Sequence, residues 1–209
     1  MMSNRLLFFL LYFPTFLISL SVHESAHAWV AFLFGDDTAK NLGRISLNPI
    51  RHMDFVGTFL LPIFFFFTPG LRFPIGGWGK PVPVNPYQLK DPRKDGLWIS
   101  LAGPASNLLL AIFCAALMRI FFVQNFPYVF AVLEIGIWLN LGLAFFNLVP
   151  LHPLDGGKII EGLLPEAWVP AYAQVARYGF LIIFAVYYIW GFGFITKPVS
   201  FLAERLIPN

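Results

Sequence analysis

Residues 21–30 read SVHESAHAWV. His23 and His27 stand four positions apart. On a helix that spacing puts both imidazoles on one face, one turn apart, where they can share a divalent cation. Glu24 beside them can act as general base toward a water that the cation activates. H-E-x-x-H on a helix is thus a pattern for zinc-assisted hydrolysis. The bland alternative is a pair of core histidines next to a stray acid. The surroundings weigh against it. Between residues 6 and 34, Glu24 is the only formally charged residue. An ionisable group inside a membrane helix costs about 2.5–3.5 kcal/mol on insertion scales and usually serves a function. Three such groups together need a compensating partner, and a metal ion supplies one.

A catalytic zinc usually has three protein ligands and keeps the fourth position for water. His52 and His152 are the remaining histidines. The best carboxylate candidate is Asp155, in NLVPLHPLDGG at 147–157. Pro150, Pro153 and the pair Gly156–Gly157 force irregular backbone there. At membrane depth, irregular backbone is tolerated only where it is buried in protein or lines a water-filled cavity. That is a suitable place for a hydrolytic metal.

The elements that must hold these groups are helices in lipid. Of the 209 residues, 58% are hydrophobic and 12% charged, against about 25% charged in a soluble domain. Too little charge remains to cover a globular surface. The expected fold is all-α and polytopic, with spans near 6–34, 97–123, 128–151 and 173–195. The first run starts like a signal peptide but is too long and lacks a small-residue cleavage site, so it reads as a retained helix. A fifth run, 55–67, has thirteen residues and Pro62, which suits a re-entrant segment better than a span. No repeat and no soluble second domain stands out. The single cysteine, Cys114, can form neither an internal disulfide nor a thiolate metal site. The net charge of +3 is spread through loops, so nucleic acid is a poor partner.

Charge asymmetry sets orientation. Residues 68–96 carry Arg72, Lys80, Lys90, Arg93 and Lys94, the densest basic patch in the chain. The positive-inside rule puts them in the cytoplasm, while the short turn near 124–127 carries none. If 55–67 re-enters, the runs 97–123 and 128–151 go out and back. Asp155 then arrives beside the histidines, toward the cytoplasmic side. If 55–67 spans, Asp155 arrives on the opposite face.

Four motifs in this order resemble the site-2 protease family of intramembrane zinc metalloproteases, over most of the chain. HESAH fits the family's H-E-x-x-H helix, and NLVPLHPLDGG its N-x-x-P-x-x-x-L-D-G motif. LAGPASN at 101–107 fits the A-G-P-x-x-N start of a core helix. GRISLNPIRHMDFVGTFLLP at 43–62 and GWGKPVPVNP at 77–86 look like the compact prokaryotic branch without a PDZ domain. Phe55 departs from the pattern, standing where proline is expected after the aspartate of HMD. The resemblance implies a single membrane-embedded domain over 1–209 in a prokaryotic cell membrane, acting on a transmembrane protein or peptide within the lipid bilayer. It implies one Zn2+ per chain on His23, His27 and Asp155, with Glu24 as base. It also implies that Asn147 helps hold the scissile carbonyl or its oxyanion.

A substrate helix must unwind before hydrolysis, and the proline-rich 77–86 stretch could pair with it as an extended strand. Several residues invite blander expectations. His52 and Asp54 read as loop polar groups rather than a second metal site, and His152 as a packed loop histidine or one that tunes the site. Glu134 and Arg119 are expected to pair across the outer hairpin. Asn107 and Asn140 are expected to bond between helices, and residues 197–209 to lie on the membrane surface. Two rival functions remain. A membrane metal transporter would also place His, Glu and Asp in the bilayer, though usually with internal repeats. An inactive relative would bind membrane helices without cutting them, against which the intact Glu24 and ligand set argue.

Overall fold

The computed structural model describes residues 2–68, 77–120 and 125–208. Arg72 and the start of the expected outer turn lie outside the described residues. Among those described, the regular elements are helical. In chain order they are α1 (Met2–Leu33), α2 (Thr38–Asn41), α3 (Leu61–Phe67), α4 (Pro92–Ile120), α5 (Pro127–Asn147), α6 (Asp155–Leu163), α7 (Val169–Ala176), α8 (Gly179–Trp190) and α9 (Gly193–Leu206). Residues 5–33, 92–120 and 127–147 are long and apolar enough to cross a membrane. The expected all-α, polytopic architecture stands.

Three helices form the frame. Thr15 of α1 and Cys114 of α4 lie against Gly136 of α5. One turn on, Ser19, Asn107 and Asn140 meet. Further along, His27 reaches the carbonyl of Ile99. Rising numbers on α1 therefore match rising numbers on α5 and falling numbers on α4. The helices α1 and α5 run parallel, with α4 antiparallel to both, so the C-terminal ends of α1 and α5 emerge together.

Local chemistry starts α4 sharply. Asp91 accepts from the Lys94 N–H at 3.1 Å, and Asp95 reaches back to the Asp91 N–H at 3.0 Å. This reciprocal cap satisfies donors that a helix start leaves open.

The fifth apolar run forms a π-wound turn, Phe55–Leu60, that continues into α3. Asp54 caps it by accepting from the Gly57 N–H at 2.7 Å. Phe59 packs against Phe13, and Phe66 against Phe8 and Phe9, so the segment climbs toward the start of α1. The chain is back by Trp78, whose N–H donates to Gly57 O at 3.1 Å, and Lys80 N–H donates to His52 O at 2.8 Å. Departure and return lie side by side, at one level of the frame.

The C-terminal third departs from several expectations. The run expected as one span, 173–195, is divided among α7, α8 and the start of α9, and Glu166–Ala176 bends by 65° against Gly179–Trp190. Among the described residues three helices are long and apolar enough to cross a membrane, or four if that bent pair counts as one span. The last segment does not lie on the surface. Ile195, Val199 and Ala203 of α9 are buried with Ala111, Ala115, Ile137 and Leu141. Arg119 does not pair with Glu134. Its guanidinium donates to the carbonyls of Leu206 at 2.7 Å and Arg205 at 3.1 Å. A cation at a helix C-terminus satisfies carbonyls that have no partner within the helix.

Candidate metal centre

HESAH sits in the second half of α1, and its neighbours are chosen by α4. Gly103 faces the two imidazoles so closely that a Cβ would overlap His27 Nε2 and His23 Cε1. In A-G-P the glycine is therefore there for space. Pro104 follows it and withdraws one N–H donor from the same turn. The opposite wall comes from α6. Its glycines allow an approach that side chains would block: a Cβ on Gly156 would overlap the Leu148 and Val149 carbonyls, and one on Gly162 would press into Leu97 of α4. This packing carries Asp155, the first residue of α6, back to α1. An acid in that position also complements the helix dipole.

The result is a convergence of distant positions. His23 Nε2 and Asp155 Oδ2 are 3.2 Å apart, His27 Nε2 and Asp155 Oδ2 3.3 Å, and the two Nε2 atoms 3.1 Å. His23, Glu24 and His27 are all at least nine-tenths buried. Both histidines use the other ring nitrogen: His23 Nδ1 meets Asn107 Oδ1 at 2.6 Å, and His27 Nδ1 meets Ile99 O at 2.7 Å. Those partners only accept, so each Nδ1 carries a proton and, in the neutral form of the ring, Nε2 turns its lone pair inward. Asp155 Oδ2 is buried and has no hydrogen-bond partner. Three lone-pair atoms this close repel unless a cation lies among them. A tetrahedral ion with bonds of about 2.0–2.1 Å separates its ligand atoms by about 3.3 Å. The donor set and its spacing fit zinc.

Glu24 forms no ion pair or hydrogen bond among the described residues, so its proton-accepting capacity is unspent. Asn147 lies in the last turn of α5, where one amide N–H donates to Leu143 O at 3.0 Å. The structure does not bring His52 or His152 to the histidine pair. The ring of His52 is fully buried with Nε2 at 2.7 Å from Ser46 O, and burial holds it below its ordinary pKa. His152 lies 3.5 Å from Glu161.

Sequence reasoning missed three contributors. Asn107 was expected to bond between helices, and it does, but its oxygen goes to a candidate ligand. In the sequence Gly103 stands only as part of a motif. Arg44 was given no role, yet it is buried, acts electrostatically on Glu24, and donates to the carbonyl of Lys80. It thereby ties the metal-site surroundings to the extended stretch. That stretch follows α1 past the site: Gly79 packs on Leu20, and Val84 on the cluster of Ala31 and Ile99.

Comparison with known proteins gives the same reading. The model for "Peptidase family M50" matches residues 11–131 and 123–189. YwhC of Bacillus subtilis is 42% identical over 180 residues, covering 83% of this chain and 78% of YwhC. Rip2 of Mycolicibacterium smegmatis is 30% identical over 175 residues, covering 84% of this chain and 65% of Rip2. A Methanocaldococcus jannaschii protein is 24% identical over 167 residues, 79% of this chain and 38% of its own length. All three carry the name zinc metalloprotease. No solved structure matches. The chain belongs to peptidase family M50, the site-2 protease family.

Proposed function

We propose that this zinc metalloendopeptidase hydrolyses peptide bonds within transmembrane helices of other proteins, as a step of regulated intramembrane proteolysis. His23, His27 and Asp155 would hold one zinc ion per chain, Glu24 would be the general base, and Asn147 the oxyanion donor. One observation carries the reading: three buried lone-pair atoms from positions 23, 27 and 155 converge beside an unpaired glutamate, against α1, a helix apolar enough to cross a membrane.

A bound zinc ion supplies a Lewis acid that lowers the pKa of a coordinated water to about 7. Glu24 takes the proton from the attacking water and delivers it to the leaving amine nitrogen, so both proton transfers run through one carboxylate. Asn147 has a second amide N–H to offer the developing oxyanion. The substrate backbone must first leave its helix, and the 77–86 stretch can receive it as a strand. Trp78 and Lys80 spend their N–H groups on Gly57 and His52. Among the described residues, Val82 and Val84 have no backbone partner for theirs. Pro81 and Pro83 remove donors from the other edge. A substrate would therefore pair along the edge of Val82 and Val84.

The protein is an integral membrane protein, and we place it in a prokaryotic cell membrane with the site toward the cytoplasm. The basic residues Lys80, Lys90, Arg93 and Lys94 lie on segments at the same end of the frame as the candidate metal centre, which supports that orientation.

Glu24→Gln removes the base and keeps all three ligands. Purified protein should retain its zinc while cleavage of a transmembrane substrate falls by about 10²–10⁴-fold. Near-normal turnover by the variant would overturn the assignment of Glu24. Metal flux through vesicles without cleavage would overturn the protease reading itself.

A further inference from the structure

We propose that Asn140, which touches none of the candidate ligands, is a positioning residue that fixes through Asn107 which nitrogen of His23 is free to hold the metal. The proposal rests on the reading of His23 as a ligand and goes beyond it.

The argument follows the direction of each hydrogen bond. Asn140 Nδ2 lies 2.8 Å from Gly136 O and 2.9 Å from Ser19 Oγ. The first is a backbone carbonyl and can only accept. Ser19 sends its own proton to Thr15 O at 2.8 Å, so its oxygen is left to accept from Asn140. The amide nitrogen of Asn140 must therefore face these two groups, and its oxygen must face Asn107. Asn107 Nδ2 answers by donating to Asn140 Oδ1 at 2.7 Å, and its second N–H points to Ser19 O at 3.3 Å. The oxygen of Asn107 is then the atom left for His23, and an amide oxygen only accepts. His23 Nδ1 has to carry the proton, and Nε2 has to keep its lone pair.

Every chain of donors ends on a backbone carbonyl, which cannot reverse. Ser19, Asn107 and Asn140 are each at most 1% exposed, so water cannot replace a missing partner. The relay draws one group from each of α1, α4 and α5, and it couples the assembly of the frame to the state of one imidazole. His27 shows the contrast. Its Nδ1 donates directly to the Ile99 carbonyl, so its tautomer needs no side chain. The outer hydrogen bonds of metal-binding histidines typically change metal affinity by 10–100-fold.

The test uses full-length protein in detergent. Asn140→Leu removes the closer of the two acceptors that orient Asn107 and leaves only the 3.3 Å contact to Ser19 O. The amide of Asn107 can then turn its nitrogen to His23 Nδ1 and move the ring proton to Nε2, where it blocks the metal. Asn140→Asp, in its protonated form, keeps an acceptor for Asn107 and one O–H donor for Gly136. Zinc affinity is measured by competition with a chromogenic chelator, and the His23 tautomer by nitrogen NMR of metal-free protein. Expected are an affinity loss of about 10-fold or more and an Nε2–H tautomer in Asn140→Leu, with both largely restored in Asn140→Asp. A folded Asn140→Leu with wild-type affinity and an Nδ1–H ring overturns the proposal. So does an Nε2–H ring in the unmutated protein, a result that requires no variant to fold. His23→Ala separates the two readings. If it leaves zinc affinity unchanged, the ligand assignment fails. If it abolishes binding while Asn140→Leu has no effect, only the relay fails.

Discussion

The helices α4 and α8 are both strongly apolar, yet they are built for different surroundings. Along α4 the buried positions Ser100, Gly103, Asn107, Ala111 and Ala115 are small or polar and recur every three to four residues, on one face. On α8, with the sequence GFLIIFAVYYIW, only the first glycine is buried, and Tyr188 and Trp190 remain 83% and 74% exposed. In lipid the hydrophobic effect does not draw helices together, because acyl chains are as apolar as leucine. Close backbone approach and hydrogen bonds do that work. The difference teaches that small and polar positions, not hydrophobicity, mark the face of a membrane helix that meets protein.

The sharpest way to break this comparison is to fill the space that α4 leaves. Gly103→Ala puts a methyl group on the two imidazoles. We expect loss of most bound zinc and at least a 100-fold fall in cleavage, the scale on which a displacement of about 1 Å acts in an active site. Gly142→Ala on α5 is the control, because nothing lies within 4 Å of its Cβ position. It should keep zinc and gain up to about 0.5–1 kcal/mol from helix propensity. Zinc content by atomic absorption and a cleavage assay check both. Normal zinc in Gly103→Ala would mean that the α1–α4 contact is looser than described.

A smaller effect is expected where the polar contacts reach the loops. Arg44→Met removes a buried cation that donates to the Lys80 carbonyl and acts on Glu24. A hydrogen bond to a charged group contributes about 1.5–3 kcal/mol, so residues 77–86 should loosen and cleavage should fall by about 10-fold or more. Faster amide exchange at Lys80, with zinc content unchanged, is the expected signature. Protection equal to wild type would remove Arg44 from the account of that strand.

The same contrast explains what could be read in advance. The spacing of His23 and His27 is local, so their shared face was legible. The helix-breaking run before Asp155 placed a carboxylate at an irregular site. The resemblance supplied its partnership with the histidines, and the parallel course of α1 and α5 is what makes the meeting possible. Asn107 lies 84 positions from His23, and nothing local states which way its amide turns. Its orientation depends on Asn140 and Ser19, hence on the rotational setting of three helices. Arg119 and Glu134 flank one turn, which suggests a pair, but a helix end 86 positions away offers Arg119 two open carbonyls. The break at Arg177–Tyr178 is not legible in hydropathy, because the apolar residues on its two sides join into one run despite Arg177, and hydropathy does not register a bend.

The smallest expected effect sharpens the comparison most directly. On α8, Phe184→Leu and Tyr188→Leu change side chains that are 59% and 83% exposed. If these face lipid, one apolar surface replaces another and no cavity forms, so each should shift stability by less than about 0.5 kcal/mol. On α4, Ala111→Leu adds three carbons to a fully buried position packed with α5 and α9, and overpacking of that kind costs about 1–3 kcal/mol. Thermal unfolding of the purified protein in detergent separates the two cases. A marked loss in Phe184→Leu would mean that α8 packs against protein after all. A silent Ala111→Leu would mean that small residues on α4 do not set its approach to α5. Either result would remove the basis for reading protein-facing surfaces from small and polar positions in this chain.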